Sequence, residues 1–153
     1  MCSSRRWTKK ESDVAMKRLF KIYEELYNAG VKVYSYRLHD VPAVTIEANR
    51  KYAIFFNPDS IDSLADETCL VAHEAGHIMT GTTHRVNSPC QLIAQHEEKA
   101  NRWAIVHVIP YAEYTAALHN GICEVWDLAE HFGVTEVFMR KAIAYYQMQE
   151  QTN

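Results

Sequence analysis

The sequence predicts a small α+β domain: an N-terminal helix, a three-stranded sheet containing an antiparallel pair, and then helices only. Three observations predict it. Apolar residues recur at helical spacing over residues 9–29 and again beyond residue 63, β-rich stretches fill residues 31–56, and capping or stop residues bracket the helical stretches. The chain has 153 residues, 48% of them apolar, with three tryptophans, nine tyrosines and five phenylalanines, which is enough for one bulky core. We expect a single domain over residues 1–153, in which residues 111–153 form a C-terminal helical extension packed on the rest.

The first helix is read over residues 9–29. Thr8 and Glu11 form a capping box, Val14, Ala15, Leu19, Ile22, Tyr23 and Leu26 make its apolar face, and Asn28-Ala29-Gly30 stops it. Strands are expected at 31–38, 44–48 and 52–56. The short Asn49-Arg50-Lys51 turn joins the last two as an antiparallel hairpin. Asn57-Pro58-Asp59-Ser60 ends the sheet. A second helix over 63–80 has Leu64, Val71, Ala75 and Ile78 as its apolar stripe and stops at Gly81. Residues 81–87 read as a loop. Ser88-Pro89-Cys90-Gln91 is a strong helix start, and the third helix runs from there to Val108, before Pro110. Helices over 111–119, 124–131 and 136–149 follow, with Gly133 between the last two and Thr135 as a cap. Trp126, Tyr145 and Tyr146 are expected in the core.

Composition narrows the function. The formal net charge is −3 with both signs mixed, so nothing asks for nucleic acid or an anionic membrane. No apolar run reaches the length of a membrane span. A charged amphipathic stretch, not an apolar signal core, follows the N-terminus. Cys2, Cys69, Cys90 and Cys123 are scattered and form no CxxC pair. A cytoplasmic protein with reduced thiols is the expectation.

The chemistry sits at His73-Glu74-Ala75-Gly76-His77, an HExxH motif. Two histidines four residues apart on a helix lie one above the other, so both imidazoles reach one metal ion. The glutamate beside the first is placed to deprotonate a metal-activated water. A catalytic zinc needs three protein ligands and one open position. The third helix carries His96-Glu97-Glu98-Lys99-Ala100-Asn101. Glu97 is favoured as third ligand. Asn101, one turn later on the same face, is expected to orient a ligand histidine. Glu98 is rotated by about 100° and has Arg102 as its i+4 partner, which reads as a solvated ion pair. Glu98 and His96 stand as the alternative ligands. Cys69 is one turn before His73, but three residues in a stripe on one straight helix cannot surround a metal. Cys69 and Cys90 are read as small buried residues.

With these residues in view, the chain resembles the ImmA/IrrE family of small zinc metallopeptidases, particularly its short phage and mobile-element members. The family pairs HExxH with E-x-x-A-[ND]-x-[FW]-A and ends near Leu-Met-Pro. Here the second block is matched by Ala100, Asn101, Trp103 and Ala104, with Glu98 as a flanking acid, and the close reads Val108-Ile109-Pro110 with Ile109 where Met is usual. The likeness is strongest over residues 68–110. It implies a small zincin-like metallopeptidase fold, Zn²⁺ as cofactor, and a third ligand at Glu97 in the E-x-x-x-[ND] register. It also implies a cytosolic peptidase. The family's studied members act on, or are coupled to, DNA-binding repressors encoded beside them.

The expected function is therefore zinc-dependent hydrolysis of a peptide bond in a protein target, with a helix-turn-helix repressor as the candidate. His73, His77 and Glu97 would hold the metal. Glu74 would take the proton of the attacking water and pass it to the leaving amine. His84, Arg85, His107 or a tyrosine would steady the anionic intermediate. The 52–56 strand is the expected edge for an extended substrate. The alternative is a catalytically silent regulatory protein of the same fold that binds a repressor. A DNA-binding accessory role is disfavoured. Residues 128–135 resemble the start of a helix-turn-helix, but the next helix offers only Arg140 and Lys141 against Glu136 and Glu150.

Overall fold

The structure, a computed structural model, describes residues 9–83 and 90–152, with the backbone alone for Lys10 and Glu11. The proposed Thr8 cap, the Ser88-Pro89 helix start, His84 and Arg85 lie outside the described residues. The first helix, α1 (Lys9–Asn28), buries Ala15, Leu19, Ile22 and Leu26 along one face. That face packs on the second helix.

Three short strands follow: β1 (Lys32–Ser35), β2 (Ala43–Ala48) and β3 (Lys51–Phe56). Asn49 and Arg50 both have positive φ, 52° and 61°, as a two-residue hairpin turn requires, and β2 pairs antiparallel with β3 from Ala48–Lys51 to Ala43–Phe56. β1 pairs parallel with the other side of β3, so the sheet order is β1-β3-β2. This corrects two expectations. The 52–56 stretch is the central strand and has no free edge. Ile54 is fully buried, the other residues of the Tyr52-Ala53-Ile54-Phe55-Phe56 run are half-buried, and a strand pairs on each side of it. The first strand is shorter than 31–38. Its last rung is the Tyr36 amide donating to the Phe56 carbonyl, and β3 offers nothing beyond.

The second helix, α2 (Leu64–Met79), is the hub, touching α1, β2, β3 and the third helix, α3 (Cys90–Val108). Ser63 caps α2, accepting from the Asp66 amide at 3.1 Å. At its other end Gly81 adopts φ 64°, and the Thr82 amide turns back to the His77 carbonyl at 2.8 Å. This is the left-handed stop that a glycine permits. Gly76 serves a different purpose. A Cβ there would lie 2.4 Å from the Ala100 carbonyl oxygen, so glycine lets α2 and α3 approach backbone to backbone. Gly76→Ala should lower the melting temperature. Overpacking of about 1–3 kcal/mol outweighs the gain in helix propensity of about 1 kcal/mol. A thermal melt showing equal or greater stability would contradict this packing.

Beyond α3 come α4 (Tyr111–His119), α5 (Val125–Phe132) and α6 (Glu136–Thr152). The end of α3 is held from two sides. Arg18 of α1 donates to the Val108 carbonyl at 2.5 Å, and the buried Tyr146 hydroxyl of α6 donates to that of Ile109. These bonds satisfy carbonyls that a helix terminus otherwise leaves open. Thr135 caps α6 by accepting from the Phe138 amide at 3.2 Å. Tyr146 is in the core and Tyr145 packs against it, but Trp126 is 46% exposed and is not a core residue. It stands in the first turn of a short helix whose buried face is taken by Leu128, Ala129 and Phe132. Among the described residues, no helix is long and apolar enough to cross a membrane.

Candidate metal centre

His73 and His77 project from α2, and Glu97 from α3, across the close contact made by Gly76 and Ala100. The His73 and His77 Nε2 atoms are 3.2 Å apart. Glu97 Oε2 is 3.1 Å from His73 Nε2, and its Oε1 is 3.2 Å from His77 Nε2. Together they form a group able to hold a metal ion, with ligand atoms within 4.8 Å of one another.

The opposite face of each ring fixes which nitrogen points inward. His73 Nδ1 lies 3.1 Å from the Asn101 side-chain oxygen, and His77 Nδ1 lies 3.2 Å from the Thr82 carbonyl oxygen. Both oxygens are acceptors, so they favour a proton on each Nδ1 and leave Nε2 as the nitrogen that faces Glu97. Burial above all, with the nearness of His73 second, lowers the His77 pKa and favours its neutral imidazole. Two imidazole nitrogens and a carboxylate thus converge on one point. A cation among them would engage all three. A tetrahedral site with bonds of about 2.0–2.1 Å separates its ligands by about 3.3 Å, which is close to the spacings found. The donor set of two imidazoles and one carboxylate suits Zn²⁺.

The rival ligands are elsewhere. Glu98 is 76% exposed and pairs with Arg102 at 3.8 Å. Neither it nor His96 belongs to the convergent group. Cys69 packs against the core and its sulfur accepts from the Thr135 amide at 3.5 Å. Burial pushes its thiol up to about 11, so it is not a thiolate at neutral pH. Cys90, contrary to the buried reading, is exposed at the start of α3.

Two cavities flank the triad, and His73 and Glu97 line both. The first, about 270 Å³, is bounded by Ala43, Val44 and Thr45 of β2 together with Glu74. The second, about 430 Å³, lies toward α6. His107 and the tyrosines, offered as donors to the intermediate, line neither. His107 instead stacks on Trp103 and bonds its carbonyl at 2.8 Å.

Two contributors are absent from the sequence reading. Thr45 donates from its hydroxyl to Glu74 Oε2 at 2.5 Å, tying the glutamate to β2. No local pattern marks it, because the contact joins a strand to a helix. The Thr82 carbonyl on His77 has a visible cause in the Gly81 stop, which returns the chain toward the last turn of α2.

Asn101→Ala should weaken zinc binding about 10–100-fold, the usual cost of losing a group that orients a ligand. Competition with a chromophoric chelator measures it, and unchanged affinity would remove Asn101 from the site.

Comparison with curated proteins and with solved structures finds no match. The family model of the IrrE N-terminal-like domain, Peptidase_M78, matches residues 22–144, a span that contains α2, α3 and all three strands. Most of the chain, including every residue of the triad, is therefore covered, and the protein belongs to the IrrE N-terminal-like family of metallopeptidases.

Proposed function

We propose that the protein is a zinc-dependent endopeptidase that cuts a protein target. The observation that carries this reading is the convergence of two imidazole Nε2 atoms and the Glu97 carboxylate within 3.2 Å, with Glu74 beside them in an open cavity. His73, His77 and Glu97 would hold the zinc, which when bound supplies Lewis acidity for a water and a peptide carbonyl.

The chain's own residues do the rest. Asn101 and the Thr82 carbonyl fix the imidazoles. The Thr45 hydroxyl occupies Glu74 Oε2, which leaves Oε1 to receive a proton from water and return it to the leaving amine. β2 is an edge strand, and its Ala43–Thr45 segment borders the same cavity as Glu74. An extended substrate segment adds along that edge by main-chain hydrogen bonds. The target class is a protein, with a helix-turn-helix repressor encoded nearby as the candidate that the family likeness suggests.

The test is incubation of the zinc-loaded protein with that repressor and, separately, with a mixed peptide library, read by mass spectrometry. Defined cuts that vanish on chelation and return with zinc are expected. Full zinc occupancy with no cut in either substrate would favour the silent, repressor-binding alternative.

A further inference from the structure

We infer that Thr45 is a positioning residue that registers the Glu74 carboxylate to the free edge of β2, so that base and substrate main chain are held by one residue. The inference rests on the peptidase reading above and adds to it a residue outside both helices of the metal centre. Two observations carry it, one on the side chain of Thr45 and one on its main chain.

The Thr45 hydroxyl donates to Glu74 Oε2 at 2.5 Å. Among the described residues, this is the hydrogen bond that the Glu74 carboxylate receives. A glutamate side chain is long and flexible, and Glu74 lines an open cavity of about 270 Å³. The helix fixes only its backbone, so the contact with β2 supplies the second point of attachment. A bond to an ionised acceptor is stronger than one between neutral groups, which suits it to that task.

The main chain of Thr45 faces the other way. Ala48 pairs with Lys51 across the hairpin turn, and at the far end the Asn57 amide donates to the Pro42 carbonyl at 2.7 Å. In an antiparallel pair every second residue bonds to the partner strand. Counting inward from either end, Pro42, Val44, Ile46 and Ala48 are the residues that bond to β3. Ala43, Thr45 and Glu47 therefore turn their N–H and C=O groups to the edge of β2 on which no strand pairs. Directly across from Thr45 on β3 is the fully buried Ile54, which anchors this rung of the sheet. A peptide bonded along that edge and the carboxylate bonded to the hydroxyl are thus both referred to Thr45. Such registration matters because a misplacement of about 1 Å can cost about 10²-fold in rate.

Thr45→Val keeps the branched shape and the main chain and removes the hydroxyl, whereas Thr45→Ser keeps the hydroxyl and removes the methyl group. The first probe is acetohydroxamate, titrated by calorimetry into the zinc-loaded full chain, because its hydroxyl can donate to a carboxylate held beside the metal. Thr45→Val should weaken it about tenfold, the scale of one hydrogen bond made to a charged group. Thr45→Ser should restore most of the affinity, which a role in strand packing alone would not produce. Zinc content should be the same in all three proteins. The second probe is trialanine hydroxamate, compared with the same compound methylated on both peptide nitrogens. The unmethylated form should bind about tenfold more tightly, the scale of one or two main-chain hydrogen bonds, and Thr45→Val should keep that ratio. Unchanged acetohydroxamate affinity in Thr45→Val, an equal loss in Thr45→Ser, or equal binding of the two trialanine probes would overturn the inference. Failure of the hydrolytic reading is distinguishable. It would appear as these affinities intact in a protein that cuts no peptide.

Discussion

Replacing Glu74 by glutamine should leave zinc bound and reduce kcat/KM on any cleaved peptide by about 10²–10⁴-fold, the range that a positioned general base contributes. The substitution keeps the shape of the side chain and its ability to accept from the Thr45 hydroxyl, which reaches Glu74 Oε2 at 2.5 Å. It removes only the capacity to take up a proton. Glu74 is also outside the convergent group, so zinc content should match the parent protein. The measurement pairs a steady-state cleavage assay with metal analysis of the same preparation. Activity within a few-fold of the parent at full zinc occupancy would exclude Glu74 as the base.

Replacing Glu97 by alanine should instead strip the metal. Glu97 faces both histidines at 3.1–3.2 Å, and its loss leaves two imidazoles from one helix with no charge to neutralise the ion. Removing a residue that only orients a ligand costs about 10–100-fold in affinity, so removing a ligand should cost more. Zinc per chain after dialysis against a weak chelator should fall close to zero, while Glu98→Ala retains it. The contrast follows from geometry. Glu98 is rotated away from α2 and pairs with Arg102 in solvent, where such pairs matter little. Zinc retained in Glu97→Ala would return Glu98 or His96 to consideration.

The contrast between these neighbours shows what kind of information the sequence carried. Helical periodicity reports which residues share a face, so His73, His77, Glu97 and Asn101 could be grouped from spacing within two helices. The same holds for the Thr135 cap, whose bond spans three residues. Strand order is another matter. The parallel pairing of β1 with β3 joins strands that have β2 between them in the chain, and no turn residue encodes it. β3 runs directly into α2, which suggests an edge, whereas strands pair with it on both sides. Nothing local marks Thr45, because its partner is 29 residues away. Tryptophan is usually well buried, but the short α5 buries only one face and Trp126 lies outside it.

The family match over residues 22–144 brings these elements under one pattern. Gly76 takes on meaning within it. The glycine between the two motif histidines is what allows α3 to bring Glu97 within reach, so the HExxH helix and its neighbour are fitted to each other as well as to a metal.

X-ray absorption at the zinc edge of the loaded protein examines that fit most directly. One zinc per chain, bound by two imidazoles and oxygen donors with no sulfur in its first shell, is the expected spectrum. A Zn–S component near 2.3 Å, or a failure to bind zinc stoichiometrically, would contradict the His73/His77/Glu97 centre.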